Sequence, residues 1–201
     1  MSLSNLISSY QDNGKNFAWE GSLTDYLGLV EQNPRITRLA HARVYDMILS
    51  HGVEKDAEGK IKRYQFFDGE IFGSKSALDA LVEYFKAAAH GLEVRKRILL
   101  LMGPAGGGKS SIVNLLKKRL ETYSRTDEGA LYGIKGCPMH EEPLHLLPEE
   151  LRRAAREQSG LHIEGDLCPV CQWRLTNEWG GDFRKARVER VLFSEMGRSG
   201  I

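Results

Sequence analysis

Residues 103–110 read Gly-Pro-Ala-Gly-Gly-Gly-Lys-Ser, and this stretch decides the fold prediction. It matches the pattern G-x-x-x-x-G-K-[ST], in which backbone N–H groups surround the phosphates of a nucleotide. Glycines suit that task because they carry no side chain to block the approach of the phosphates. An apolar run at residues 98–102 precedes the loop, and residues 111–120 carry apolar side chains at helical spacing. A strand, a glycine loop and a helix in this order predict a unit that binds ATP or GTP.

The chemistry of a triphosphate assigns a role to each part of this loop. Lys109 is predicted to place its ammonium group on the β- and γ-phosphates, as the catalytic residue of the set. The hydroxyl of Ser110 is predicted to ligate Mg²⁺. The predicted nucleotide-binding residues of the loop and the first helical turn are Gly103, Pro104, Ala105, Gly106, Gly107, Gly108, Lys109, Ser110 and Ser111. The alternative is a glycine-rich turn without a ligand, which is disfavoured because successive glycines cost conformational entropy.

Composition places the chain among soluble globular proteins. It has 201 residues, of which 41% are hydrophobic and 27% charged, and its net charge is +1. This charge gives no reason to expect a nucleic-acid or membrane partner. Apolar runs fall short of a membrane-spanning length, the first residues contain no signal-peptide core, and three cysteines are too few for a disulfide framework. A cytoplasmic location is therefore expected.

The order of predicted elements indicates an α/β fold. Apolar periodicity predicts helices near residues 22–27, 37–50, 76–90, 111–120, 148–158 and 169–179. Short apolar runs predict strands at 64–67, 130–134 and 188–193, and the charged stretch 54–62 predicts a loop or hairpin tip. A strand at 98–102, a helix and a second strand at 130–134 imply a parallel βαβ unit. We expect a helical N-terminal region over residues 1–63 and a three-layer core with a parallel sheet over residues 64–201.

A second nucleotide contact is predicted about thirty residues before the glycine loop. Ile71-Phe72-Gly73 forms an apolar turn ahead of the helix predicted to begin at Ser76. An arrangement of this kind resembles the segment that covers the adenine ring in AAA+ ATPases. A flat base needs apolar contact and backbone hydrogen bonds, which these three residues can supply. The alternative is that Ile71 and Phe72 are only core residues.

The cysteines form two pairs with a histidine. Cys137-Pro138-Met139-His140 and Cys168-Pro169-Val170-Cys171 together offer the ligand set Cys137, His140, Cys168 and Cys171, which is typical of structural zinc. Three alternatives stay open: buried free thiols, a redox pair of Cys168 and Cys171, or Cys137 alone near the nucleotide. Glu141 and Glu142 follow the first pair, and they either approach the γ-phosphate or belong to a polar surface loop.

Hydrolysis of a nucleotide also needs an acidic residue at the end of a separate apolar strand. Residues 191–195 are a poor candidate for that strand, and no arginine finger can be assigned. The chain therefore reads as a fragment of a longer protein.

Several stretches together resemble the PrkA family of bacterial serine protein kinases, which carry an N-terminal AAA-type ATPase domain. Among them is Lys135-Gly136-Cys137-Pro138-Met139-His140-Glu141. The others are residues 19–21, 25–27, 40–48, 95–104, 106–110, 123–127 and 188–190. The resemblance implies an AAA-type module of a PrkA-like serine/threonine kinase, with ATP and Mg²⁺ as cofactors, a protein substrate and possible homo-oligomers. It also implies that the acidic strand and the kinase-like region lie beyond Ile201, so the chain alone is expected to have little activity.

Two other functions remain open on the sequence. One is an ATP-driven AAA+ remodelling motor without kinase activity, and the other is a nucleotide-gated binding module. An apolar strand ending in acid, an arginine finger and a kinase-like region would separate the kinase from the motor.

Overall fold

The computed structural model describes residues 17–194 as a mixture of helices and short strands. The strands are β1 (Glu20–Ser22), β2 (Val53–Lys55), β3 (Ile61–Tyr64), β4 (Leu131–Ile134) and β5 (Arg187–Val191). The α-helices are α1 (Leu23–Gln32), α2 (Ala40–Ser50), α3 (Lys75–Ala89), α4 (Lys109–Tyr123), α5 (Glu149–Ser159) and α6 (Pro169–Asn177). Single 3₁₀ turns lie at Pro34–Thr37, Gln65–Phe67, Glu93–Lys96, Pro143–Leu146 and Phe183–Lys185.

The described chain divides into two compact units, each with its own apolar core. We call residues 17–37 and 130–192 the sheet unit, and residues 38–129 with 193–194 the glycine-loop unit. This division differs from the boundary predicted between residues 63 and 64, which stays a prediction about domain organisation. Residues 1–16, the first part of the predicted helical N-terminal region, lie outside the described range.

The sheet unit is built on a small antiparallel sheet with the strand order β1-β5-β4. Glu20 pairs with Glu189 on one side of β5, and Leu131 pairs with Val191 on the other. The inward face of this sheet packs on helix α1, and the fully buried side chains at their contact include Tyr26, Ile134 and Val188. Helix α1 starts at a capping box, in which Ser22 and Asp25 bond each other's backbone N–H groups. The helix start predicted near residue 22 is confirmed.

The glycine-loop unit packs helices α2, α3 and α4 with a β2–β3 hairpin. Met47 on α2, Val82 on α3 and Phe66 after the hairpin are fully buried in its core. The hairpin prediction at residues 54–62 is confirmed, but the strand expected at residues 64–67 is displaced. Strand β3 ends at Tyr64, and Gln65–Phe67 form a 3₁₀ turn.

The predicted parallel βαβ unit is not found among residues 17–194. Strand β4 pairs antiparallel with β5, and residues 98–102 belong to no strand. Four of the five apolar side chains of that run are exposed, including Ile98 at 94%, Leu100 at 72% and Met102 at 83%. The run lacks a strand partner in the described range, so no ladder of hydrogen bonds forms there. No described helix is long and apolar enough to cross a membrane.

Candidate functional site

The glycine loop leads into helix α4 through two left-handed glycines. Gly106 and Gly108 both have φ of 77°, a region that side chains other than glycine rarely adopt. Gly108 is the N-cap of α4, and no side chain bonds the N–H groups of the first helical turn. These N–H groups carry the positive end of the helix dipole, so the loop presents an anion-binding surface.

Lys109 lies across this loop. Its Nζ donates to the carbonyl oxygens of Gly103 and Pro104, at 2.7 and 2.5 Å. The same Pro104 oxygen accepts from the N–H of Gly107 at 3.2 Å. A Cβ atom at Gly107 would stand 3.1 Å from that oxygen, so a side chain there would crowd the turn. The loop therefore has a folded form in which its lysine is held over the backbone.

Helix α4 is anchored to the core of its own unit. Ile112, Leu115 and Tyr123 are buried along one face. The guanidinium of Arg119 lies 4.8 Å from the ring centroid of Phe66, a cation–π distance. Ser110 and Ser111 lie in the first turn of this helix, next to the loop. Their backbone is held in place because the buried face of α4 packs on the core.

The predicted adenine contacts Ile71, Phe72 and Gly73 line a cavity of about 390 Å³ in the glycine-loop unit. Tyr64 and Phe67 contribute to its apolar side, while Phe72 is 80% exposed. Among the described residues, none of the loop 103–110 lines this cavity. Ile71, Phe72 and Gly73 thus line a cavity large enough for a ligand, and this cavity does not extend to the loop at residues 103–110.

Three of the four predicted zinc ligands come together in the sheet unit. The sulfur atoms of Cys137, Cys168 and Cys171 all lie within 4.8 Å of one another, and those of Cys137 and Cys168 are 3.6 Å apart. Cys137 and Cys171 are buried, and Cys168 is partly buried as the N-cap of α6. His140 is not part of this group, so the predicted Cys₃His set is reduced to three sulfurs.

Backbone donors surround the sulfurs. Burial raises the pKa of Cys137, but hydrogen bonds from the N–H groups of Glu141 and Met139 and from the Cys171 thiol lower it, and the net pKa is below its ordinary value. Burial raises the pKa of Cys168 above its ordinary value. Burial and the two neighbouring sulfurs also raise the pKa of Cys171. Cys137 is therefore the thiol of the three that loses its proton most readily.

Sequence reasoning missed how Glu141 holds this cluster. One carboxylate oxygen accepts from the N–H of Cys168 at 2.6 Å, and the other lies 2.6 Å from Nδ1 of His145. The second ring nitrogen of His145 lies 2.7 Å from the carbonyl oxygen of Glu164. Burial raises the pKa of Glu141, but the bonds from His145 and Cys168 outweigh it and lower the pKa. The spacing of four residues between Glu141 and His145 was the available signal.

Glu142 has a structural partner as well. Its carboxylate accepts from the hydroxyl of Tyr26 at 2.7 Å and caps the turn at Pro143–Leu146. Both acids after β4 are thus engaged within the sheet unit. The idea that Glu141 and Glu142 approach the γ-phosphate stays a prediction.

Comparison with known proteins agrees with the resemblance in the sequence. The family described as the PrkA AAA domain matches residues 21–201. The chain is 50% identical over 196 residues to a Bacillus subtilis protein named ATP-dependent protease PrkA, covering 97% of this chain and 31% of that protein. It is 33% identical over 167 residues to Escherichia coli proteins named serine/threonine kinase YeaG, covering 80% of this chain and 22% of those proteins.

A further relative is shorter. An uncharacterised Geobacillus stearothermophilus protein is 45% identical over 93 residues, which cover 46% of this chain and 94% of that protein. No solved structure matches the chain significantly. The chain spans less than a third of the length of the PrkA and YeaG relatives. Because the family match covers most of the chain, the chain belongs to the PrkA AAA domain family, whose fold is that of a P-loop NTPase.

Proposed function

We propose that this chain binds Mg-ATP through the loop at residues 103–110. The observation that carries the proposal is the geometry at the start of α4, where left-handed Gly108 leaves the first-turn N–H groups without a side-chain cap. Lys109 reaches back over the same loop. Fixed N–H donors, a helix dipole and a mobile ammonium group together suit a triphosphate.

The loop residues then take separate roles. An incoming phosphate replaces the carbonyl oxygens of Gly103 and Pro104 as partners of the Lys109 ammonium group. The Ser110 hydroxyl completes the Mg²⁺ shell from the first turn of α4. The other residues of the predicted set make backbone contacts to the phosphates; they are Gly103, Pro104, Ala105, Gly106, Gly107, Gly108 and Ser111.

The adenine ring is assigned to the turn of Ile71, Phe72 and Gly73. The support is the cavity of about 390 Å³ that these residues line, which is of ligand size. The exposed Phe72 ring offers the apolar face that a base needs. This turn and the loop belong to one unit.

The finer fold proposal concerns residues 98–102. This run of five apolar residues, four of them exposed, lies directly before the loop, where an AAA-type domain has a strand of its parallel sheet. We propose that this run becomes such a strand in a protein of the relatives' length, paired with segments outside this chain. The support is the family match together with the exposure of Ile98, Leu100 and Met102.

ATP binding serves a further activity, and the relatives' names give two candidates. Our proposal of a serine/threonine protein kinase rests on the likeness to YeaG. The second candidate, ATP-dependent proteolysis, is favoured by the name of the 50% identical PrkA. Either activity requires a protein substrate, and an AAA-type module suits a homo-oligomer. Three cysteines without disulfides fit a cytoplasmic setting.

The experiment uses a protein of the relatives' length, ATP labelled at the γ-phosphate, and an unfolded protein substrate. Transfer of label to protein supports the kinase, and ATP-dependent loss of the intact substrate supports the protease. A Lys109→Ala variant should lose whichever activity is seen. Activity that persists in that variant, or that needs no ATP, would contradict the proposed function.

A further inference from the structure

We propose that Cys137, Cys168 and Cys171 bind one zinc ion as thiolates, forming a structural metal site in the sheet unit. The site lies outside the glycine loop and does not depend on the proposed ATP function. Its ligands come from two segments that are 31 residues apart in sequence.

The spacing of the sulfurs fits a tetrahedral ion. Zn–S bonds of about 2.3 Å at tetrahedral angles place two sulfurs about 3.8 Å apart. The sulfurs of Cys137 and Cys168 are 3.6 Å apart, and all three lie within 4.8 Å of one another. Thiols that merely filled the core would have no reason to converge on one point from two separate turns.

The backbone around the sulfurs is built for thiolates. The N–H of Cys171 donates to the sulfur of Cys168 at 3.4 Å. Cys168 also stands at the N-terminus of α6, where the helix dipole favours negative charge. The turn at Cys168 therefore carries a backbone donor aimed at its own first sulfur.

A divalent cation would offset the electrostatic repulsion among the three thiolates of this cluster. Cys171 is 0% exposed and Cys137 3% exposed, so three thiolates without a cation would repel one another in a medium of low dielectric constant. A single zinc ion offsets that repulsion and displaces the thiol protons. A soft set of three sulfurs selects zinc over Mg²⁺ or Ca²⁺.

The surrounding residues hold the ligand turns in place. Glu141, which follows the first turn, accepts from the N–H of Cys168 in the second at 2.6 Å and contacts His145. Gly133 on β4 leaves room for the first turn, since a Cβ there would lie 3.2 Å from the backbone of His140. The metal would link the loop after β4 to the start of α6, across the irregular segment 160–167.

The site can be tested without relying on a folded variant. Protein at its natural length is saturated with zinc or stripped with a chelator, then alkylated in the native state and analysed by mass spectrometry. Zinc should slow labelling of Cys168, the one partly exposed thiol of the three, about tenfold or more, because a thiolate bound to the metal is not free to react. Equal labelling with and without zinc, or a disulfide between Cys137 and Cys168 in the zinc-treated protein, would overturn the proposal.

Variants make the stoichiometry specific. Cys171→Ser should reduce bound zinc by one ion per chain, and should abolish the sulfur-to-metal absorption seen when Co²⁺ replaces zinc. Met139→Ser is the control, because this exposed side chain lies in the turn that begins at Cys137 and supplies no ligand. An unchanged zinc content in Cys171→Ser, or an equal loss in Met139→Ser, would contradict the assignment.

Discussion

The Lys109 side chain bonds two carbonyl oxygens of its own loop. Its role on the phosphates stays a prediction, which the sequence could supply because it depends on a local pattern of eight residues. Contacts between distant residues were not predictable in the same way. The carboxylate of Glu141 accepts from the N–H of Cys168, 27 positions away, and no sequence pattern predicts a bond over that distance. The structure also shows that His140, chosen from its spacing to Cys137, does not join the sulfur cluster.

Ser110 provides a test of the magnesium assignment. Ser110→Ala should leave ATP affinity without Mg²⁺ unchanged but remove most of the gain in affinity that Mg²⁺ gives, because the variant lacks the ligating hydroxyl. Ser110→Thr keeps a hydroxyl and is the control that should retain the gain. Calorimetric titration with and without Mg²⁺ measures both. If Ser110→Ala responds to Mg²⁺ as the unaltered chain does, the residue has been given the wrong role.

At the scale of single elements, helices were predicted better than strand partners. Helices α3, α5 and α6 lie within about two residues of their predicted bounds, because apolar period, proline and glycine are local signals. Strands β4 and β5 were also expected. Their antiparallel pairing was not, since a strand's sequence does not specify its partner, and the three-residue β1 was missed.

The start of α1 gives an element-scale prediction. The Ser22 hydroxyl accepts from the N–H of Asp25 at 3.1 Å, so Ser22→Ala should cost about 1 kcal/mol of unfolding free energy. Ser159→Ala is the control, because a hydroxyl at the last residue of α5 caps no N–H group, and it should cost little. Urea denaturation measures both. Equal effects of the two substitutions would show that the capping box does not stabilise α1.

The same capping box predicts a pH dependence. Hydrogen bonds from the Ser22 hydroxyl and backbone lower the pKa of Asp25 below its ordinary 3.8. A lowered carboxyl pKa adds stability that is complete above 3.8 and is lost as the pH falls through the folded-state value. The stability difference between Ser22→Ala and the unaltered chain should therefore shrink on acidification below that range. A difference that stays constant down to full protonation would contradict this coupling.

At the scale of the whole molecule, the family was predictable, whereas the arrangement into two compact units was not. Motifs such as the glycine loop and the Cys-Pro turns can be recognised from the sequence, because each consists of a few neighbouring residues. The sheet unit, by contrast, joins residues 17–37 to residues 130–192, and such a long-range association leaves no periodic signal. The run at 98–102 shows the same limit, because it was predicted as a strand but pairs with no strand among the described residues.

Leu100 tests the proposal for that run. Because Leu100 is 72% exposed here, Leu100→Ser should change the stability of the 201-residue chain little. In a protein of the relatives' length, where the run is proposed to be a buried strand, the same substitution should destabilise by about 2–4 kcal/mol. Leu115→Ala, at a buried position of α4, should destabilise both lengths and is the control. An equally small effect of Leu100→Ser at both lengths would remove the parallel-strand proposal.

The central claim is that the loop at residues 103–110 binds ATP, and equilibrium titration of the chain with a fluorescent ATP analogue in Mg²⁺ tests it most directly. The unaltered chain and Lys118→Ala, which removes an exposed lysine two turns further along α4, should bind alike. Lys109→Ala should lose about a hundredfold or more in affinity, because a charge-assisted contact with two phosphates is removed. Tight binding retained by Lys109→Ala, or no binding by the unaltered chain, would contradict the account.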